Sequence, residues 1–356
     1  MSFEAIYKTI QKSAKEDKDS SIHKAGDISL NGSVPYGIPS GIPRLDLSIG
    51  RPGLPAGRVI EYFGFEGSGK TTAALHAIAQ AQRMGGGGLY IDAEYAWDDE
   101  RAEQIGVDID TNFLIGEVNT VEGIFRQLDS TIQGKINAGY NKPFVAVVDS
   151  ITGVTTEHED KKEYGQEARV GQDARVIRGG MKKLMKDVAK SKICLIFINH
   201  AINKIGAMAF AKQSQSAGGH AIKFYSTLRC EFAATGQIKD DKDRDLRLGQ
   251  KVNINIEKLK KSRLEHPKIK DVHLLNDNGF DLTTELLEGA IQCGFVVHPK
   301  SSQSYTLQHP QVVEFSKKDW KQVVLELGGP QKAYEMMLSW ATEQGILRPW
   351  TAMQYE

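Results

Sequence analysis

The sequence has few cysteines, no long apolar run and no excess of charge of either sign. The three cysteines among its 356 residues stand far apart without paired spacing, which predicts neither a disulfide framework nor a zinc site: Cys194, Cys230 and Cys293. No apolar run approaches the ~20 residues that a membrane helix needs, and the N-terminus lacks the apolar core of a signal peptide. We therefore expect a soluble, cytoplasmic protein with no membrane partner.

The charge balance is neutral, because Lys plus Arg and Asp plus Glu both number 45. Any surface that binds a polyanion must then arise from local segregation of charge, and neutrality is mild evidence against nucleic acid. With 40% apolar residues the chain has ample material for a sizeable core. Its length suggests two domains, or one large domain with appendages.

The N-terminal segment, residues 1–36, is predicted to be a helix and a linker. Apolar residues recur there at the i, i+3, i+4, i+7 spacing of one helical stripe: Phe3, Ile6, Tyr7 and Ile10. Polar and glycine-rich turns follow the helix. Because an apolar stripe needs a partner surface, we expect this helix to dock away from its own core, even on a neighbouring chain.

The central part, residues 37–275, is predicted to be an α/β domain with a mostly parallel sheet. Short apolar runs without polar alternation alternate there with helical patterns, as expected of strands covered by helices on both faces. The apolar runs are Val59 to Phe63, Leu89 to Asp92, Phe144 to Val148, Cys194 to Ile198 and Val252 to Ile256.

Residues 276–356 are predicted to form a smaller α+β domain. The expected helices are Leu282 to Cys293, Trp320 to Gly328 and Ala333 to Glu343, with a hairpin over Phe295 to Leu307. The change from alternating strands and helices to mainly helices marks the domain boundary.

The most specific motif is a phosphate-binding loop of the pattern G-x-x-x-x-G-K-T. Its members are Gly64, Phe65, Glu66, Gly67, Ser68, Gly69, Lys70 and Thr71. The glycines let backbone N–H groups point at phosphates, Lys70 reaches the β and γ groups, and the Thr71 hydroxyl ligates Mg²⁺. An apolar strand precedes the loop, and a predicted helix from Thr72 follows it and adds its N-terminal dipole. We predict that the loop binds a Mg-nucleotide, namely ATP.

Polar side chains follow the predicted strands at the edge where ligands of α/β sheets bind. Asp149 ends an apolar strand, which is the pattern of a Mg²⁺ partner beside such loops. Glu94 is a candidate general base for the water that attacks the γ-phosphate, although spacing alone does not select it over its acidic neighbours. Asn199 and His200 follow a third strand at the same edge.

Five ordered segments together resemble the RecA family of homologous-recombination ATPases. They are Leu54 to Arg58, Tyr90 to Glu94, Val148 to Ser150, Leu195 to Asn199 and Gly218 to Tyr225. The resemblance covers about residues 37–261 and is looser beyond them. It implies a P-loop core of the RecA type, an N-terminal polymerisation helix and a small C-terminal domain.

The resemblance also implies an activity. Members of the family form helical filaments on single-stranded DNA, pair that strand with homologous double-stranded DNA and exchange strands, with ATP hydrolysis that DNA stimulates. ATP, Mg²⁺, both forms of DNA and further copies of the chain are therefore the expected partners. Whether a single-strand-binding protein or a loader takes part stays open.

Single residues take roles from the same resemblance. Glu94, with Lys70, matches the catalytic set, Asp149 the acidic residue of the Mg²⁺ site, and Asp98 the residue that reads the adenine amino group. Thr72 joins the nucleotide-binding residues at the start of the helix. The family's lysines that reach across the filament interface to the neighbour's ATP are matched by Lys258 and Lys260. Without the family, these two lysines form a solvated basic edge.

Two positions depart from the bacterial members. Arg101 stands where a tyrosine usually stacks on adenine, and a guanidinium can also stack on a base. His200 stands where a glutamine senses the γ-phosphate, and an imidazole can donate to phosphate while titrating near neutrality. This second substitution resembles the phage UvsX-type branch of the family.

Two predicted loops carry the expected DNA contacts. The first spans about residues 157–171 and the second about residues 201–219. The candidate residues are Arg169, Val170, Gly171 and Arg175 for the first, and Lys204, Met208, Phe210, Lys212, Gly218 and Gly219 for the second. Cations neutralise phosphates while apolar groups stack on or separate bases. Without the family, an ordinary surface loop is the alternative.

Two other functions stay open at this stage. A RecA-like hexameric helicase motor would form closed rings, whereas the N-terminal stripe favours head-to-tail docking into open filaments. An ATP-gated DNA-binding mediator would hold DNA without productive hydrolysis. The presence of Glu94, Lys70 and Asp149 together argues against that mediator.

Overall fold

The computed structural model describes residues 3–16, 34–161, 171–203, 214–216, 220–260, 268–299 and 303–350. The chain divides into two compact units, one ending at Ser33 and one beginning at Val34. Helix α1 (Phe3–Glu16) lies in the first unit and confirms the predicted N-terminal helix. In its apolar stripe, Ile6 and Ile10 are 45% and 44% exposed.

The second unit is built on one large sheet preceded by a small ribbon. The ribbon pairs β1 (Gly37–Ile38) with β2 (Leu54–Pro55). The parallel strands of the large sheet are β3 (Val59–Gly64), β4 (Gly87–Asp92), β5 (Phe113–Glu117), β6 (Phe144–Asp149), β7 (Cys194–Asn203) and β9 (Leu228–Lys239), and β8 (Ser214–Ser216) pairs with the end of β7. Antiparallel strands continue it as β10 (Arg247–Leu259), β11 (Lys268–Leu275) and β12 (Gly279–Phe280).

The strand order across the large sheet is β12-β11-β10-β9-β3-β7-β6-β4-β5. All five predicted strands are confirmed, and the α/β fold with a mostly parallel sheet is confirmed with them. Strands β5, β8, β9, β11 and β12 of this sheet were not predicted from the sequence. The sheet runs to Phe280, which lies past the boundary expected at residue 275.

Helices cover both faces of this sheet. The helices of this part of the chain are α2 (Pro43–Ile49), α3 (Lys70–Arg83), α4 (Asp99–Ile105), α5 (Val121–Asn137), α6 (Glu157–Asp160), α7 (Gln172–Ser191) and α8 (His220–Tyr225). Along β6, Val145 and Val147 belong to the core shared with α3, whereas Ala146 and Val148 belong to the core shared with α5 and α7. Both faces of the strand are therefore buried, which explains the absence of polar alternation in its sequence.

The C-terminal part forms the predicted α+β arrangement. Its elements are α9 (Leu282–Gln292), β13 (Val296–Val297), β14 (Ser304–Leu307), β15 (Val313–Ser316), a 3-10 helix (Lys317–Asp319), α10 (Trp320–Glu326) and α11 (Pro330–Glu343). Strand β14 pairs antiparallel with β13 and β15 around a separate core that includes Phe295, Trp320 and Tyr334. Among the described helices, none is long and apolar enough to cross a membrane.

Helix α2 connects this C-terminal part to the core through two polar contacts. Arg44 donates from Nε and Nη2 to the two carboxylate oxygens of Glu285 on α9, both at 2.7 Å. The fully buried Asp46 accepts hydrogen bonds from the Tyr334 hydroxyl on α11 and from the Ser40 backbone N–H. Burial raises the pKa of Asp46 to about 7, although these hydrogen bonds act in the opposite direction.

This raised pKa predicts a pH-dependent stability. The unfolded carboxyl titrates near 3.8 and the folded one near 7, so the stability contributed by Asp46 is full below 3.8 and is lost as the pH rises to about 7. The loss is on the order of a few kcal/mol. We expect Asp46→Asn to remove this fall in the free energy of unfolding, measured by urea denaturation at a series of pH values. The matched change Asp110→Asn, at an exposed aspartate, should keep it.

Candidate functional site

The phosphate-binding loop joins the end of β3 to the start of α3, as its sequence predicts. Gly64 lies between β7 and β9, where a Cβ atom would stand 2.2 Å from the Phe232 carbonyl oxygen. Gly67 and Gly69 have φ values of 69° and 92°, in the left-handed region that favours glycine. The three glycines are therefore required by close approach and by backbone conformation.

Two buried polar groups inside the loop test whether it fits an anion. The Lys70 side chain, on a residue only 6% exposed, donates from Nζ to the Phe65 carbonyl at 2.9 Å, and burial lowers its pKa against the charges of Asp149, Glu94 and Glu66. The Ser68 hydroxyl is buried without a hydrogen-bond partner among the described residues. A buried cation and an unsatisfied hydroxyl both gain from an anionic ligand. The residues present fit a phosphate group.

The candidate metal position lies where α3 meets β6. The Thr71 hydroxyl donates to Asp149 Oδ2 at 2.6 Å, and Asp149 is 7% exposed. Burial raises the pKa of Asp149, while hydrogen bonds from Thr71 and Tyr90 and the charge of Lys70 oppose that rise. One hydroxyl and one carboxylate beside a phosphate loop is the donor set that Mg²⁺ commonly takes from protein, with water and phosphate supplying the rest.

The structure separates Glu94 from its acidic neighbours. His200 Nε2 lies 2.9 Å from Glu94 Oε1, and both side chains are partly exposed. Burial alone would raise the pKa of Glu94. Hydrogen bonds from Ser150 and His200 and the charge of Lys70 together lower it by more than burial raises it, so the net shift of the pKa is downward. Glu94 therefore stays ionised, as a carboxylate that accepts a proton must be.

The neighbouring acids hold the loop in shape. Asp92 is buried, and its two oxygens accept the backbone N–H groups of Glu94 at 3.1 Å and Trp97 at 2.9 Å. Asp99 accepts from the Trp97 indole at 2.6 Å. Their contacts are local, which leaves Glu94 as the carboxylate of this acidic loop that meets β7.

Asp98 and Arg101 lie at the start of α4. Asp98 caps the helix by accepting from the Arg101 backbone N–H at 3.0 Å. The Arg101 guanidinium donates to the carbonyl oxygens of Asn276 and Asp277, in the turn between β11 and β12. These contacts hold Arg101 against that turn, and its stacking on a base stays a prediction.

Lys258 and Lys260 lie near the start of β3, whereas the phosphate-binding loop follows the end of β3. Lys258 pairs with Arg229 of β9, and Lys260 is joined through Thr227 to Val59, the first residue of β3. At ~3.3 Å per residue, Val59 stands roughly 16 Å along the strand from Gly64. Within one chain, these lysines are therefore too far from the phosphate-binding loop to belong to the same site.

A hydrogen-bonded cluster surrounds the two lysines. Both Nζ atoms donate to the Phe224 carbonyl at the end of α8, at 3.0 Å from Lys258 and 3.2 Å from Lys260. Burial, followed by the charges of Lys260 and Arg229, lowers the pKa of Lys258 to about 8. A nearby anion would favour the charged form of such closely spaced cations.

Most of the predicted DNA contacts lie outside the described residues. These are Arg169, Val170, Lys204, Met208, Phe210, Lys212, Gly218 and Gly219. Gly171 precedes α7 with a φ of 85°, and the exposed Arg175 follows in the first turn of that helix. Their role in binding DNA stays a prediction.

Sequence reasoning missed several residues that support the site. Beneath the loop, the buried Glu61 of β3 accepts from the Asn199 amide at 3.0 Å and from Arg229 Nε. Gln250 of β10 donates from its amide to the Gly67 carbonyl. No motif marks Glu61, Arg229 or Gln250, because their partners are distant in sequence.

Tyr90 is a further residue that the sequence analysis did not single out. Its hydroxyl donates to Asp149 Oδ2 at 2.7 Å. The tyrosine stands inside the segment from Tyr90 to Glu94, where only Glu94 was assigned a role. Its position two residues before Asp92 on the strand facing Asp149 was the available signal.

Comparison with known proteins gives concordant matches. A family model described as the RecA N-terminal domain matches residues 4–281. The protein named RecA of Heliobacterium modesticaldum is 34% identical over 304 residues, which are 85% of this chain and 83% of that protein. The RecA proteins of Lactobacillus acidophilus and Levilactobacillus brevis are 38% and 36% identical, over 75% and 85% of this chain and 70% and 76% of their own lengths.

The close approach at Gly64 generates a prediction. Gly64→Ala forces β3 and β9 apart, so we expect the free energy of unfolding to fall by about 1–3 kcal/mol, with weaker nucleotide binding. Urea denaturation and nucleotide titration measure the two effects. Gly236→Ala, on β9 with no atom within 4 Å of the added Cβ, should change stability by less than about 0.5 kcal/mol. Equal effects of the two changes would contradict the steric explanation.

Proposed function

Because the chain belongs to the RecA family, we propose that it is an ATP-dependent DNA recombinase, and with it a DNA-dependent ATPase. It forms helical filaments on single-stranded DNA and catalyses pairing and strand exchange with homologous double-stranded DNA. The observation that carries this proposal is the convergence of Lys70, the Thr71–Asp149 pair and the Glu94–His200 pair at one edge of the sheet.

ATP binding rests on the loop and the helix that follows it. Backbone N–H groups from Gly67 to Thr71, the buried Lys70 ammonium and the α3 dipole together favour the charge of the phosphates. Thr71 and Asp149 would hold Mg²⁺, which, when bound, neutralises charge on the phosphates. Arg101 contacts the β11–β12 turn and Asp98 caps the helix that carries Arg101, and we propose that the base is read there.

For ATP hydrolysis, we assign Glu94 as the general base. Its depressed pKa keeps the carboxylate ionised, and the His200 imidazole restrains it on the side facing β7. We assign His200 as the γ-phosphate sensor, because it is the last residue of β7 that pairs with β3 and stands opposite Gly64 of the phosphate-binding loop. The second predicted DNA loop follows directly along the chain, so a shift of His200 toward phosphate would pass to that loop.

The filament would complete each ATP site with a second copy of the chain. Lys258 and Lys260 cannot reach the loop of their own chain across roughly 16 Å of strand, so any contact with ATP phosphates must be made to a neighbour. Strand β5 ends the large sheet and exposes Leu114 and Ile115, at 56% and 46%. An exposed apolar edge strand is a ready site for another chain.

The remaining family expectations form part of the same proposal. DNA would contact the first loop at about residues 157–171, together with Arg175, and the second loop at about residues 201–219. The protein would act in the cytoplasm, with a single-strand-binding protein and a loader as candidate accessory partners. Nucleotide binding in the absence of both accessory proteins would still be expected, because the loop is contained in this chain.

The hydrolysis assignment predicts the effect of Glu94→Gln. We expect single-stranded DNA to stimulate ATP hydrolysis by the wild type, and the variant to lose about 10²- to 10⁴-fold in rate while binding nucleotide normally. Phosphate release, with and without DNA, measures both effects. Glu103→Gln, at an exposed position on α4, serves as the control and should hydrolyse like the wild type. A wild type that DNA does not stimulate, or a variant with full turnover, would refute the assignment.

The assembly predicts open filaments that depend on Lys258. With single-stranded DNA and a non-hydrolysable ATP analogue, negative-stain microscopy should show extended helical filaments. Lys258→Ala should shorten them and reduce their dependence on nucleotide, because the cation is lost from the interface. Lys239→Ala, at the other end of the β9–β10 hairpin, should leave them intact. Closed rings of wild-type protein would instead favour a hexameric helicase.

A further inference from the structure

Two hydrogen-bond donors converge on one oxygen of the candidate metal carboxylate. Asp149 Oδ2 accepts from Thr71 Oγ1 at 2.6 Å and from Tyr90 Oη at 2.7 Å. Within the described part of the chain, neither donor bonds to Oδ1. Oδ1 is therefore the oxygen that these two donors leave to a cation or to a water bound to it.

The geometry points to Tyr90 as a positioning residue for the Mg²⁺ site, and this inference rests on the proposed Mg-ATP function. Tyr90 would act through Asp149 and would not touch the metal or the nucleotide. Its hydroxyl fixes the rotation of the carboxylate, and Thr71 would hold the cation through its own oxygen. A carboxylate held in this way presents Oδ1 without reorganising when the metal binds.

The strand register explains why a tyrosine can do this. Tyr90 on β4 stands opposite Val147 on β6, and Asp92 stands opposite Asp149. Asp149 is therefore two residues further along its strand, roughly 7 Å from the level of Tyr90. The length of a phenol side chain spans that offset, which a serine or threonine at the same position would not.

The ring of Tyr90 is held in place by aromatic packing. It contacts the Trp97 ring at a centroid distance of 4.9 Å, and Trp97 stacks on Phe113 of β5 at 5.2 Å. The Trp97 backbone is itself fixed by its hydrogen bond to Asp92. Tyr90 is only 5% exposed. The hydroxyl therefore has a fixed position, so its contact with Asp149 restrains the carboxylate.

A buried tyrosine hydroxyl usually forms a hydrogen bond whether or not a metal site is nearby. The proposed role of Tyr90 at the Mg²⁺ site therefore needs a control. The chain provides one in Tyr62 of β3, which is fully buried and whose hydroxyl has no hydrogen-bond partner among the described residues. Tyr62→Phe and Tyr90→Phe remove the same atom from buried rings on two parallel strands of the same sheet. Only the second removes a contact with the metal carboxylate.

The test measures how much Mg²⁺ each variant needs to bind a fluorescent mant-ATP probe. We expect Tyr90→Phe to raise the half-saturating Mg²⁺ concentration about 10-fold, within the range of roughly 10- to 100-fold seen when a partner of a metal ligand is lost. Binding of the probe in EDTA should be unchanged, and Mn²⁺ affinity measured by electron paramagnetic resonance should fall in parallel. Tyr62→Phe should match the wild type in all three measurements.

A second set of variants separates positioning from a general loss of structure. If Tyr90 acts through Asp149, then Tyr90→Phe should add no further Mg²⁺ requirement in an Asp149→Asn background. A wild-type Mg²⁺ requirement in Tyr90→Phe, or an undiminished effect in the Asp149→Asn background, would overturn the inference. Equal weakening in EDTA and in Mg²⁺ would also overturn it, because that result indicates a structural role. A wild type that binds no Mg-nucleotide would overturn the proposed function instead.

Discussion

The register of four neighbouring parallel strands is the constraint on which the candidate site depends. Gly64 of β3 is paired with His200 of β7, and Asp92 of β4 is paired with Asp149 of β6. Parallel strands end at the same edge, so residues distant in sequence arrive at one level. If the register of any of these strands shifted by one residue, every side chain of that strand would move to the other face of the sheet. Such a shift would displace the side chains that are packed into both buried faces, and a close-packed core disfavours that displacement.

A buried ionic cluster fixes the same register from below. Glu61, Asn199 and Arg229 come from three adjacent strands, and the guanidinium also lies 4.6 Å from the centre of the Phe63 ring. A buried charge pair adds little stability compared with apolar residues, but the loss of one partner leaves the other charged and uncompensated. The cluster therefore chiefly determines which strands pair with one another. It lies directly under the loop that must bind phosphate.

Much of the fold and the centre of the site could be predicted from sequence, because their signals are local. The apolar runs of β3, β4, β6 and β7 are continuous, and the loop from Gly64 to Thr71 carries its own spacing rule. Strand β5 escaped prediction because its side chains are largely exposed, which gives no buried pattern to read. Tyr90, Glu61 and Gln250 also escaped prediction, since each contacts a partner that only the tertiary structure brings near.

The separation of the loop and the basic edge has a thermodynamic consequence for assembly. On the proposed function, a nucleotide bound at the loop of one chain completes its contacts only with Lys258 and Lys260 of another, so nucleotide and neighbour each raise the affinity for the other by the same factor. Hydrolysis removes the terminal phosphate and with it part of that coupling. The lowered pKa of Lys258 fits this scheme. In the isolated chain burial and neighbouring cations disfavour the charged form of Lys258, and a phosphate of the neighbouring chain would favour it. Association and release are then controlled by one anion at the interface.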